Sequence, residues 1–150
     1  MKYRSLLLFF LFFLILIILF VKNYQKKENM LGKVCFKNNC FEVELGKTPE
    51  QKAKGLMFRQ NLAENKGMLF IYEKEGIYSF FMKNVQIPLD IIWINKDNKI
   101  VFIKENFLPC EQEPCEKISS PEKAKYVLEI NAGISQKMDF EIGDKMDIEY

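Results

Sequence analysis

The sequence predicts a β-rich α+β domain: a compact, mostly antiparallel sheet or barrel-like body with one or two short helices, preceded by an N-terminal transmembrane helix. Three observations predict it. Ser5 to Val21 is an unbroken, uncharged apolar run. The rest of the chain is crossed by short apolar segments, several of them alternating, with Gly, Asn, Asp and Pro between them, which is the signature of strands joined by turns. Only the stretch around residues 48–58 opens with a helix-start signal.

The apolar run comes first. It reads SLLLFFLFFLILIILFV behind Lys2 and Arg4. A hydrocarbon core is crossed by about 20 helical residues, with about 17 as a lower limit, and a lysine such as Lys22 can snorkel to extend the span. A cleaved signal peptide is the alternative, but the residues after Val21 offer no small-residue cleavage site and no nearby cysteine for lipidation. Residues 1–22 are therefore expected to be an uncleaved anchor, 23–31 a polar tether and 32–150 one extracytoplasmic domain. Lysines lie on both sides of the run, so the positive-inside rule does not set its orientation.

The cysteines set it instead. Cys35 and Cys40 sit in KVCFKNNCFEVEL, where Val34 and Phe36, then Phe41, Val43 and Leu45, alternate with polar residues. A two-residue loop at Lys37-Asn38 makes this a hairpin, with Cys35 facing Cys40. Cys110 and Cys115 lie in LPCEQEPCEK, an irregular loop rich in Pro and Glu. Both gaps are tolerable for a four-cysteine zinc site. Beside an export-type N-terminus, however, two local disulfides are the expectation, and they place the domain outside the cytoplasm, periplasmic or at the cell surface, or secreted if the leader is cleaved. No metal or cofactor is expected.

Thr48, Pro49 and Gln51 supply an N-cap, a first-turn proline and a capping box for a short helix to about Phe58. Strands are expected at Gly67–Tyr72 and Ile77–Met82. DIIWIN (90–95) is apolar on both faces and should be central, with Lys99–Glu105 as its hairpin partner. Residues 106–125 read as a long loop. Tyr126–Asn131 is a strand, a helical turn starts at Ala132-Gly133, Gly143-Asp144 turns the chain, and Lys145–Tyr150 is the last strand.

Six segments fall in a recognisable order: GLMFR (55–59), GMLF (67–70), FMKN (81–84), IPLD (87–90), VLEINAG (127–133) and GD (143–144). On these the chain resembles the family named domain of unknown function 192, small proteins often exported or membrane-anchored. The resemblance spans about residues 34–150 and implies fold and boundaries rather than an activity. Phe81 and Val85 stand where that family usually has Trp and Thr.

Composition narrows the chemistry. The chain has no histidine, which excludes Ser-His-Asp and Cys-His catalysis and any His metal ligand. Residues 1–30 hold five basic groups and one acid; the rest holds 17 basic and 19 acidic groups, so no nucleic-acid footprint is present. No nucleophile motif stands out, and no catalytic residue is assigned. The candidate ligand-binding residues are Arg59, Lys83, Asn84, Asp90, Glu129 and Asn131. Arg59 and Lys83 suit anion binding; Asn84 and Asp90 suit orienting a polar ligand such as a sugar or carboxylate. The competing reading has Asn84 and Asp90 holding a turn while Lys83 is solvated, and Glu129 and Asn131 on a polar outer face. The expected partners are the membrane, through residues 5–21, and a polar small molecule or a protein. A small hydrolase or transferase using Asp90 or Glu129 with Lys83 is the alternative, and a metal-handling protein using methionines (Met57, Met68, Met82) or cysteines a weaker one.

Overall fold

The computed structural model describes residues 2–28 and 31–150. The chain divides into two units, Met1–Leu31 and Gly32–Tyr150. The first is α1 (Lys2–Glu28), a single helix. Its side chains are described from Leu8 to Lys22, and every apolar one from Leu8 to Val21 is exposed. Among the described residues, no helix is long and apolar enough to cross a membrane.

The second unit opens with the hairpin that the alternating pattern requires: β1 (Leu31–Phe36) and β2 (Asn39–Gly46) about a turn at Lys37-Asn38. Cys35 and Cys40 are disulfide-bonded across it, with Cα atoms 4.1 Å apart. α2 (Pro49–Lys54) follows, and both halves of its capping box are made: Thr48 Oγ1 accepts from the Gln51 N–H, and Gln51 Oε1 from the Thr48 N–H. The helix stops at Lys54, short of the expected Phe58, because Gly55 takes φ +47° and turns the chain.

β3 (Lys66–Gly76), β4 (Ser79–Phe81), β5 (Leu89–Ile94), β6 (Ile100–Phe107), β7 (Lys117–Ser119), β8 (Ala124–Asn131), α3 (Ile134–Lys137) and β9 (Asp147–Glu149) complete the unit. The main sheet has seven strands in the order β6-β5-β8-β3-β2-β1-β9. Its β2–β3 pair is parallel, so the sheet is mixed. A parallel neighbour needs a crossover connection, and α2 with the segment after it supplies one. The two edges meet: Lys99 bridges Lys145, Ile100 N–H donates to Asp144 O (2.8 Å) and Met146 N–H to Asn98 O (2.8 Å). The start of β6 is thereby joined to the segment entering β9, giving a barrel-like closure at that end of the sheet.

β5 is buried at all six positions, as its two-sided apolar pattern demands. One face of the sheet packs inward around Leu69, Ile92, Leu128 and Ile130. The other carries Phe70, Ile91, Trp93 and Val127, and is covered by residues from 56–62, 78–87 and 107–118. Part of that cover is the expected loop 106–125, which is not structureless. β7 within it pairs with β4 as a separate two-stranded sheet, and Cys110–Cys115 closes its tip. Trp93 Nε1 donates to Tyr78 O (2.9 Å), tying cover to sheet. Met68 and Met82 are buried in this layer, filling gaps as methionines do.

Removing the cap at Thr48 tests this local logic. Thr48→Ala is expected to cost about 1 kcal/mol in urea unfolding, with an unchanged m-value, because only the helix start is altered.

Candidate functional site

The six sequence candidates separate in the structure. Asp90 belongs to the fold. It is fully buried, and its carboxylate accepts from Asn106 N–H (2.8 Å), Ser135 N–H (2.9 Å) and Ser135 Oγ (2.6 Å). These bonds tie β5 to the end of β6 and to α3. Its role is holding, as one of the competing readings has it, but its partners lie far along the chain rather than in its own turn. Asn131 Nδ2 donates to Leu62 O (2.9 Å) and Ala63 O (3.2 Å), anchoring the chain after α2.

Lys83 and Asn84 do not continue a strand. β4 ends at Phe81, and the Val85 N–H donates to Met82 O (3.2 Å), closing a turn. Asn84 sits at φ +58° in that turn, a conformation that asparagine tolerates better than most residues. Its backbone carbonyl accepts from Phe58 N–H (2.8 Å). Lys83 is exposed and pairs with Glu113, also exposed, of the second disulfide loop.

Glu129 and Arg59 are near enough for their charges to act on each other, but they do not pair. Glu129 lies on the covered face of β8, paired in register with Met68 of β3 on one side and Ile91 of β5 on the other. Only 5% of it is exposed, which overturns the reading of a polar outer face. Strand alternation assigns a side chain to a face but does not say whether a second layer covers that face. Glu129 Oε2 is wholly buried and has no hydrogen-bond partner among the described residues. Burial drives its carboxyl up from the ordinary 4.5 to about 8, against a smaller opposing pull from Arg59. Arg59 is turned to a different acid: its Nη1 and Nη2 donate to Glu44 Oε1 (2.5 Å) and Oε2 (2.7 Å), a bidentate pair that holds Glu44 below its ordinary value.

Beside Glu129 is a cavity of about 70 Å³, lined by Lys52–Met57, Phe70, Tyr72, Ser79–Phe81, Val85 and Glu129. Gly55 forms part of its wall, and a Cβ there would stand 3.4 Å from Phe70 Cζ and 3.9 Å from Glu129 Oε2. At Gly67 the β3 backbone passes so close that a Cβ would lie 2.6 Å from Glu129 O, so this part of the sheet is packed tight. Larger hollows of about 340 Å³ and 630 Å³ lie beside the Cys110 loop and beside Lys37 and Glu64. Neither is lined by the unpartnered carboxyl. Sequence reasoning named Glu129 and Arg59 but missed Lys52, Lys54, Tyr72 and Phe80. The signal for them was Gly55, a residue costly by propensity within the helix expected to run to about Phe58.

Two outcomes follow. Asp90→Ala leaves three donors without an acceptor and is expected to cost about 3 kcal/mol or more, while Lys83→Ala stays within about 0.5 kcal/mol; chemical denaturation measures both. For Glu129 the sign is set by its raised value. Below about pH 4.5 folded and unfolded chains both hold the proton. Between 4.5 and about 8 only the unfolded chain loses it. This group's contribution to stability therefore falls with rising pH by on the order of 1 kcal/mol per unit and levels off above 8. Glu129→Gln should remove that slope from a stability–pH profile.

The chain matches DUF192, described as an uncharacterized ACR, over residues 33–148. No curated protein matches it. Among solved structures it is similar to a protein of unknown function from Novosphingobium aromaticivorans, at 32% identity and TM-score 0.70 over 78% of this chain and 83% of that one. It is also similar to a Sinorhizobium meliloti protein provisionally described as a transcription regulator, at 33% identity and TM-score 0.71 over 79% of this chain and 92% of that one. Residues 33–148 carry nearly all of the main sheet and its cover, and on that match the chain belongs to the DUF192 family.

Proposed function

We propose that residues 32–150 are a non-enzymatic binding domain, tethered at the outer face of a membrane by residues 5–21, which takes a polar ligand or the polar group of a partner at Glu129. The observation that carries this reading is Glu129 Oε2, buried at the edge of a cavity and without a hydrogen-bond partner among the described residues. A buried polar group left without a partner costs about 1–3 kcal/mol, and a ligand that pairs with it recovers that cost.

Binding is favoured over catalysis by the positions of the other candidates. A hydrolase or transferase built on Asp90 or Glu129 needs Lys83 beside the acid. Asp90 is sealed by three protein donors, and Lys83 is paired with Glu113 and does not line the Glu129 cavity. The provisional description of the Sinorhizobium relative finds no support in a domain whose basic and acidic groups nearly balance.

The tether rests on the uncharged run Ser5–Val21, set within a continuous helix whose described apolar side chains are all exposed. The outward placement rests on the two disulfides.

The test is a screen of small polar fragments by amide chemical shifts on the full chain. Hits should move Lys54–Met57 and residues around Glu129, and Glu129→Ala should abolish them. Hits that cluster elsewhere, or that survive Glu129→Ala, would remove the reading. Protease added to cells stripped of wall and outer membrane should cleave the domain; protection until the remaining membrane is lysed would overturn the outward tether.

A further inference from the structure

The lining of the Glu129 cavity names a class of ligand. Glu129 is the sole acid in that lining, against two lysines from α2, Lys52 and Lys54. The nearby charges do not reverse this balance. Arg59 and Glu44 satisfy each other, and Tyr72 of β3 is held in its neutral form by burial, at about 12. Lys52 Nζ rests 4.4 Å from the Tyr72 ring centre, at the wall of the cavity. The site is therefore cationic at its lysine side and offers one carboxyl at Glu129, which repels an amine and attracts an anion. The walls are Leu56, Phe70, Phe80 and Val85, which suit carbon rather than an inorganic oxyanion. The cavity, at about 70 Å³, holds roughly two waters' worth of volume, enough for the end of a molecule rather than the whole.

We propose that this cavity takes the carboxylate end of a small organic acid, hydrogen-bonded to the Glu129 carboxyl and facing Lys52 and Lys54. The inference rests on the Glu129 binding reading and gives it a ligand. Two carboxyl groups share one proton in a short, charge-assisted O–H···O⁻ bond, so the Glu129 proton is the donor that the anion needs. Its raised value keeps that proton in place at neutral pH. The acid could be a free small molecule or the C-terminus of a chain; the chemistry at Glu129 is the same.

The experiment adds sodium acetate, methylammonium chloride or ethylene glycol to the full chain in neutral-lipid nanodiscs, at constant ionic strength. Binding is read from the amides of Gly55–Met57 and the labelled Glu129 carboxyl carbon. Acetate should saturate at pH 6.5 and bind at least tenfold more weakly at pH 9.5, where Glu129 has lost its proton. Glu129→Gln, whose amide still donates, should bind with no such pH dependence. Replacing Lys52 and Lys54 with Ala should weaken acetate several-fold. A tripeptide that binds more tightly than acetate with a free C-terminus, but not as its amide, would identify a chain end as the source; equal binding would identify a free acid. Saturation by methylammonium or glycol but not acetate would overturn the acid inference and leave the Glu129 binding site standing. No response to any probe would overturn both.

Discussion

The constraint on which the structure depends is that its central strands are buried on both faces. β5 is buried along its whole length and β8 over most of it. A sheet closing into a barrel covers one face of such strands and leaves the other in water. The segments around α2, β4 and β7 exist to cover that second face. Trp93 shows the dependence: it is fully buried, packs edge-on against Phe80 of the cover at 5.6 Å, and donates its indole N–H to Tyr78 O. Without the cover, the Trp93 cluster would be an exposed apolar surface of the kind that aggregates.

The same constraint buries two carboxyl groups, and the chain resolves them oppositely. Asp90 is given three donors from β6 and α3, so its hydrogen-bonding capacity is taken up by the fold. Glu129 lies on the covered face, and Arg59, whose charge pulls against its burial, is bonded to Glu44. Burial then acts on it almost alone and keeps it protonated. One acid is spent on architecture; the other is kept in a form that can give a proton to something else.

Local chemistry was legible in the sequence. The Lys37-Asn38 hairpin with its disulfide, the Thr48 capping box and the central strand at 90–95 all rest on neighbours within a few residues, where alternation and capping rules apply. The parallel β2–β3 pair, the Lys99–Lys145 closure and the cover over Glu129 were not legible, because they join segments far apart and leave no periodicity. The candidate site divided on the same line. Asp90 was recognisable as a group that accepts hydrogen bonds, but its partners Asn106 and Ser135 were not. Glu129 could be assigned to a face with Asn131, but the groups that close over it include Gly55, Leu56 and Phe80, none of them its sequence neighbours.

The account turns on the protonation of Glu129, and a direct titration decides it. With the glutamate side-chain carboxyl carbons labelled and Glu129→Gln used to assign the resonance, the full chain is followed by NMR from pH 4 to pH 10. A midpoint near 8 is the result that this account predicts. A midpoint close to the ordinary glutamate value would mean that water or an unrecognised donor already reaches the carboxyl, and would contradict the claim that the fold keeps it buried and unpaired.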